Sequence, residues 1–181
     1  MDTEIFKQIS IRGRFAYGLT CLEKLIVFYG INNTILNSTI KKFWEFTNIE
    51  KLGELEDYFC NIDPFCILTD YPKLKEQPER KHEFGYDDLT LNEMEQVFEL
   101  YKDLPLNIRD ILTHLVTIAN SNISAGCGEF SILTFEPTLK IANIISEYSL
   151  IDAPKPTDFL FSDFRQNHGW GDRFEKNNSH Q

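Results

Sequence analysis

Apolar residues recur along this chain at three- and four-residue steps, the period of an amphipathic helix. Ile5, Phe6, Ile9, Phe15, Leu19, Leu22, Leu25, Ile26 and Tyr29 place one long helix, or two joined ones, over residues 2–29. Gly13 and Gly18 interrupt this pattern at about 1 kcal/mol each against alanine, and mark a bend or a close helix crossing. Gly30 follows the last apolar position, where helices commonly stop. Ile35, Leu36, Ile40, Phe43 and Trp44 give a second helix over 34–46. Thr47 and Glu50 have the spacing of a capping box, which predicts a third helix to about Phe59 with Leu52, Leu55 and Phe59 inward.

Residues 61–89 break the rhythm. Pro64, Pro72, Pro78 and Gly85 argue against a long helix, so the segment reads as a long connection, functional or poorly ordered. Thr90 and Glu93 form a second capping box, opening a helix to about Tyr101 with Leu91, Met94, Val97, Phe98 and Tyr101 on one face. Pro105 suits the first position of the next helix. Ile108, Ile111, Leu112, Leu115, Ile118 and Ala119 carry that helix to about Ser121. Gly126 and Gly128 flank Cys127 in a loop, and Pro137 starts a last helix with Leu139, Ile144, Ile145 and Tyr148 inward. Beyond Leu150 the aromatics Phe159, Phe161, Phe164, Trp170 and Phe174 follow no period and are expected to pack over the core. The pattern predicts an all-α protein of about six to eight helices. Its form is a single-domain helical bundle or a short stack of helical hairpins. Residues 1–174 make the domain, with an irregular C-terminal part, and the polar residues 175–181 are expected to be disordered.

Composition supports a self-sufficient core. The 181 residues are 42% apolar and 13% aromatic, enough to bury a core without disulfides or metal. The acidic start, Met1-Asp2-Thr3-Glu4, is unlike a signal peptide, and the run Leu25–Tyr29 is far too short for a membrane span. A cytoplasmic location is the resulting expectation. Cys21, Cys60, Cys66 and Cys127 show no metal-binding spacing, so they read as reduced thiols serving as small hydrophobes.

Charge adds the main functional hint. The chain carries a formal net charge of −10, and residues 50–110 alone hold 16 acids against 7 bases. Such a field repels nucleic acid and anionic membrane and attracts a basic partner. The paired acids Asp87-Asp88 and Glu54/Glu56/Asp57 read most simply as a solvated face, and next as a protein-binding one. Catalytic motifs are missing. His114 lies on the most apolar helix, where a semi-buried histidine is the simplest reading. No two histidines have helical metal spacing, and no phosphate-cradling glycine loop occurs. Cys127 and His168 are the residues a hydrolase would have to use. The expectation is no enzyme, no cofactor and no metal. Arg12 and Arg14 are expected to pair internally with helix carboxylates such as Glu45 or Glu50.

The segment Ile11-Arg12-Gly13-Arg14-Phe15-Ala16-Tyr17-Gly18-Leu19-Thr20-Cys21-Leu22-Glu23 resembles the opening helix of small bacterial immunity proteins of contact-dependent growth inhibition and related polymorphic toxin systems. Lys42-Phe43-Trp44-Glu45-Phe46-Thr47 and the ending Phe161-Ser162-Asp163…Gly169-Trp170-Gly171-Asp172-Arg173-Phe174 look similar as well. The resemblance implies an all-helical, non-enzymatic protein that binds a cognate toxin domain, often a nuclease, and covers its active or substrate-binding surface. It transfers no site residues.

Physical chemistry fits that implication. A nuclease presents a basic surface to hold phosphates, and an acidic inhibitor face speeds encounter with it. Affinity then comes from a few central anchors, commonly aromatic. Residues 54–88 mix both types, and Glu54, Asp57, Tyr58, Asp63, Asp70, Tyr71, Glu83, Phe84, Tyr86, Asp87 and Asp88 are the candidate partner-binding residues, with Phe65 among the neighbouring aromatics. The alternative is an acidic adaptor or regulator of another basic protein.

Overall fold

The computed structural model describes residues 3–87, 89–123 and 126–176, apart from the side chain of Leu52. Among these residues the fold is all-α. Seven α-helices form: α1 (Ile11–Tyr29), α2 (Thr34–Glu45), α3 (Glu56–Asn61), α4 (Pro64–Glu76), α5 (Leu91–Asp103), α6 (Leu106–Asn120) and α7 (Ile132–Ser146). Five short 3-10 helices accompany them, and one isolated bridge between Ile9 and Asp163 is the nearest approach to a sheet among the described residues. No helix among those residues is long and apolar enough to cross a membrane.

α1 is the hub, and every residue from Ile11 to Leu19 is buried. It is packed against α6 and α7, and Gly18 is what lets the three meet. A Cβ there would lie 2.8 Å from Leu115 Cδ2 and 2.9 Å from Ile141 Cδ1. At the far end the Tyr29 hydroxyl pairs with that of Tyr148 at 2.9 Å and accepts from Asn107 Nδ2 at 3.0 Å. α6 therefore runs antiparallel to α1, and α7 parallel to it. On another side Phe15 packs against Phe43, Phe46 and Phe59, with ring centroids 5.9, 4.5 and 5.7 Å away. That cluster ties α2 and α3 to the hub at about 0.5–1.5 kcal/mol per ring pair beyond area burial. α4 and α5 form a hairpin outside, with Tyr71 on Phe98 at 5.0 Å.

Several boundaries follow the sequence. Gly30 ends α1 in the left-handed region, at φ 64°, and its N–H reaches back to the Ile26 and Val27 carbonyls. Thr90 and Glu93 form the expected capping box, with Glu93 N–H donating to Thr90 Oγ1 at 3.2 Å and Thr90 N–H to Glu93 Oε2 at 2.8 Å.

Other expectations are corrected. Residues 61–89 are not an irregular connection: α4 occupies Pro64–Glu76 and a 3-10 helix Pro78–Phe84. Pro64 sits at the first helical position, where a missing N–H costs nothing, and Asp63 caps it. Pro72 rides inside α4, at the loss of one ladder bond. Pro137 likewise lies inside α7, which begins at Ile132 instead. Thr47 and Glu50 make no capping box. Thr47 is buried, and its hydroxyl lies 2.9 Å from both the Trp44 and the Phe174 carbonyl oxygens. The segment after it holds a 3-10 helix, Leu52–Leu55, followed by the short α3. The N-terminal pattern splits into a 3-10 helix, Thr3–Lys7, and α1, whose start is capped by Ser10. The inward placement of Leu52 and the order of residues 177–181 lie outside the described residues.

The chain beyond Leu150 packs over the start of α1, as its aromatics suggested. Ser10 Oγ and Ser162 Oγ are 2.6 Å apart, Ser10 N–H donates to the Ser162 carbonyl at 2.7 Å, and Arg12 N–H to that of Trp170 at 3.1 Å. Phe159 and Phe174 are buried.

Candidate functional site

Arg12 and Arg14 are fully internal, but they do not pair with carboxylates as expected. Arg14 donates from Nε to the Phe6 carbonyl at 2.9 Å, from Nη1 to Ser131 O at 3.0 Å and Thr134 Oγ1 at 2.8 Å, and from Nη2 to Phe130 O at 2.7 Å. Phe135 and Phe164 lie 5.6 and 5.3 Å from its guanidinium carbon. Burial pushes the guanidinium down to about 9, which leaves it charged at neutral pH. Arg12 donates to the Gly171 carbonyl at 3.0 Å and the Ile49 carbonyl at 2.7 Å. The planar fork suits carbonyls from separate segments as well as it suits a carboxylate. Both arginines staple distant chain segments to α1, so their role is architectural.

The acidic segment separates into two groups. The first lies on α3 and α4. Asp57 is exposed in the first turn of α3. Asp63 is half-buried and caps α4, accepting from Phe65 N–H at 2.9 Å and from Thr113 Oγ1 at 3.1 Å. Burial raises its pKa, while the hydrogen bonds from Phe65, Thr113 and Cys66 pull the other way. Asp70, half-buried, meets Lys73 Nζ at 3.1 Å and accepts from the Tyr86 hydroxyl at 3.3 Å. Cys60 and Cys66 report the field between these acids. Partial burial, then Glu56, Asp57 and Asp63, push the Cys60 thiol up; partial burial, then Asp63 and Asp70, push Cys66 up to about 11. Both thiols are free, and Cys60 is exposed rather than used as a core hydrophobe. Phe65, 70% exposed, projects from the first turn of α4, two positions after Asp63.

The second group lies on the 3-10 helix Pro78–Phe84 and the turn after it, and its acids Glu83 and Asp87 have partners within it. Glu83 meets Arg80 at 2.8 Å, and Asp87 meets His82 Nδ1 at 2.9 Å. Phe84 is half-buried, with Lys73 and Arg80 near its ring at 5.7 and 5.4 Å. Glu54 stands apart on its own 3-10 helix, 3.8 Å from Lys51. Asp88 lies outside the described residues.

Two of the candidate aromatics are corrected outright. Tyr71 and Tyr86 are 5% and 2% exposed and belong to the core. Their alternation with acids is that of a helix and a turn facing inward, so they offer no anchor to a partner. Tyr58 is half-buried against Phe59, with centroids 6.1 Å apart. Phe65 remains as the exposed aromatic within the acidic group, and the helical register of α4 is what turns it outward.

Cys127 and His168, the residues a hydrolase would have to use, are not joined among the described residues. Cys127 and Gly169 are in close approach, since a Cβ on Gly169 would fall 2.9 Å from Cys127 Cβ. His168 is exposed, and no hydrogen bond joins it to Cys127 among the described residues. Burial raises the Cys127 thiol pKa, with Arg14 partly opposing. His114 is half-buried, and burial followed by Lys140 lowers its pKa. No group of three or more His, Cys, Asp or Glu side chains among the described residues is arranged to hold a metal ion. Comparison with protein-family models, with curated proteins and with solved structures finds no match to this chain.

Proposed function

We propose that this chain is a non-enzymatic immunity protein, which binds a cognate basic toxin domain, a nuclease by its chemistry, and covers its active or substrate-binding surface. The observation that carries this reading is the exposed Phe65 on the first turn of α4, between Asp63 and Asp70 along the chain, with Glu56 and Asp57 at the start of the neighbouring α3. An aromatic anchor inside an acidic rim is the complement of a basic, phosphate-holding groove. Glu56 and Asp57 make no ion pair among the described residues, so their charge is free to act on a partner. α4 packs against α5, so the anchor stands on a helix rather than a loop, which lowers the ordering cost of association.

The test is capture by this chain of the product of the gene immediately upstream of its own, followed by co-expression of the two in growing cells. Tight binding of a basic toxin domain with restored growth is the expected result. Tight binding of a harmless basic protein assigns the chain as an adaptor instead, and no binding removes the immunity reading and leaves the acidic adaptor of another basic protein.

A further inference from the structure

The end of α1 carries an apolar surface that the acidic face does not explain. Val27 is 79% exposed and Leu150 86%, and Phe28 is 45% exposed with its ring 5.5 Å from that of Tyr148. Val27, Phe28, Leu150 and Ile151 border one groove, and Lys24 and Asp152 lie along the same groove. Contiguous exposed apolar side chains of this kind mark an interaction site.

We infer that this surface is a two-fold contact with a second copy of the chain, through which the protein forms a homodimer. Three observations select that occupant. An isologous contact needs knob and hole in the same patch, and here protruding Val27 and Leu150 flank a groove. Lys24 and Asp152 make no ion pair among the described residues. In the proposed dimer Lys24 of one copy meets Asp152 of the other, twice. The third observation is the local charge balance. Glu23, the remaining acid on this groove, is held by Lys176 at 2.6 Å. No residue of α3 or α4 borders the groove, so the acids of those helices are not part of the contact. A basic partner, by contrast, is drawn to residues 50–110.

This inference is independent of the immunity reading, and its test needs no toxin. Sedimentation equilibrium of the full chain across a concentration series is expected to show a monomer–dimer equilibrium. The double variant Val27→Asp/Leu150→Asp changes only exposed positions and is expected to be monomeric with an unchanged circular dichroism spectrum. Lys24→Asp and Asp152→Lys are each expected to weaken the dimer roughly tenfold, because two like-charge contacts replace two opposite-charge ones. The combined swap is expected to recover it. A monomeric wild type, a dimer that survives Val27→Asp/Leu150→Asp, or a combined swap that fails to recover association would each overturn the inference.

Discussion

Thr47 and Phe174 hold each other from both sides. The Phe174 N–H donates to the Thr47 carbonyl at 3.1 Å, and the Thr47 hydroxyl lies 2.9 Å from the Phe174 carbonyl oxygen. One residue at the end of α2 thus anchors a segment 127 positions later. The Phe174 ring is buried and stacks edge-on against Phe161 at 5.0 Å.

Thr47→Val keeps the volume but removes the hydroxyl, leaving the Phe174 carbonyl without that partner. The expected loss is about 1–2 kcal/mol, the cost of an unmet buried hydrogen bond. Urea unfolding gives the magnitude. Amide exchange should localise the change, with the Phe174 amide losing protection more than α6 does.

Arg14 is expected to be costly to replace. Its fork binds the carbonyls of Phe6, Phe130 and Ser131 together, and Arg14→Met removes all of these charged hydrogen bonds, leaving Phe130 O without its donor while Phe6 O keeps the Ile9 N–H and Ser131 O the Phe135 N–H. Such a loss is worth roughly 3 kcal/mol or more. Arg14→Lys keeps the charge but cannot span the same acceptors, so it should recover little. Chemical denaturation of both variants checks this. A lysine variant as stable as wild type would mean that charge, not the fork, is what the site requires.

The helices with an unbroken apolar stripe were legible in the sequence. Ile108, Ile111, Leu112 and Leu115 are buried in α6 where their spacing put them, and the Thr90–Glu93 box opens α5 as its residue types demand. Proline misled at two places. Pro72 and Pro137 sit inside helices because packing on Tyr71 and Leu74 in α4, and on Phe135 and Ile141 in α7, outweighs one lost ladder bond. The arginine partners were not legible either: a guanidinium reads in sequence as a charge seeking a carboxylate, whereas carbonyl acceptors are contributed by segments as remote as Ser131 and Gly171. At the candidate surface, composition found the acidic segment but not its orientation. Tyr71 and Tyr86 face the core and Phe65 faces out, which only the register of α4 decides. The exposed end of α1 left a trace in the sequence, since Leu25–Tyr29 is an apolar run with no polar face.

Asp63 offers a pH-dependent signature. Its pKa in the folded chain lies above the usual 3.8 because burial disfavours the charged form. A carboxyl whose folded pKa is raised binds its proton more readily when folded. Its contribution to stability is therefore greatest below the unfolded value and falls as pH rises through the folded one. Asn also caps helices well and carries no charge to desolvate. Asp63→Asn should then match or exceed wild type at neutral pH, and that advantage should vanish below pH 3.8. Asp63→Ala removes the cap and should lose about 1 kcal/mol. Unfolding midpoints across that pH range decide it; an Asn variant weaker than wild type at neutral pH would show that the ionised carboxylate stabilises the helix start.

Phe65 and the acids around it should act on different steps of toxin binding. Phe65 is exposed and Glu56 and Asp57 are free of ion pairs among the described residues, so replacing them leaves the core intact. Phe65→Ala removes a central anchor, and should speed dissociation by a factor on the order of 30, equivalent to ~2 kcal/mol. Its effect should persist at high salt, because apolar contact is not screened. Glu56→Lys with Asp57→Lys should instead slow association, with little change in the dissociation rate, since rim charges steer encounter more than they hold the complex. That slowing should shrink as salt rises, because the screening length falls from about 10 Å at 0.1 M to about 3 Å at 1 M. Stopped-flow association and dissociation against the captured toxin domain, at low and high ionic strength, separate the two. If Phe65→Ala leaves both rates unchanged while the complex still forms, the anchor lies elsewhere, and α3 and α4 contribute long-range charge alone.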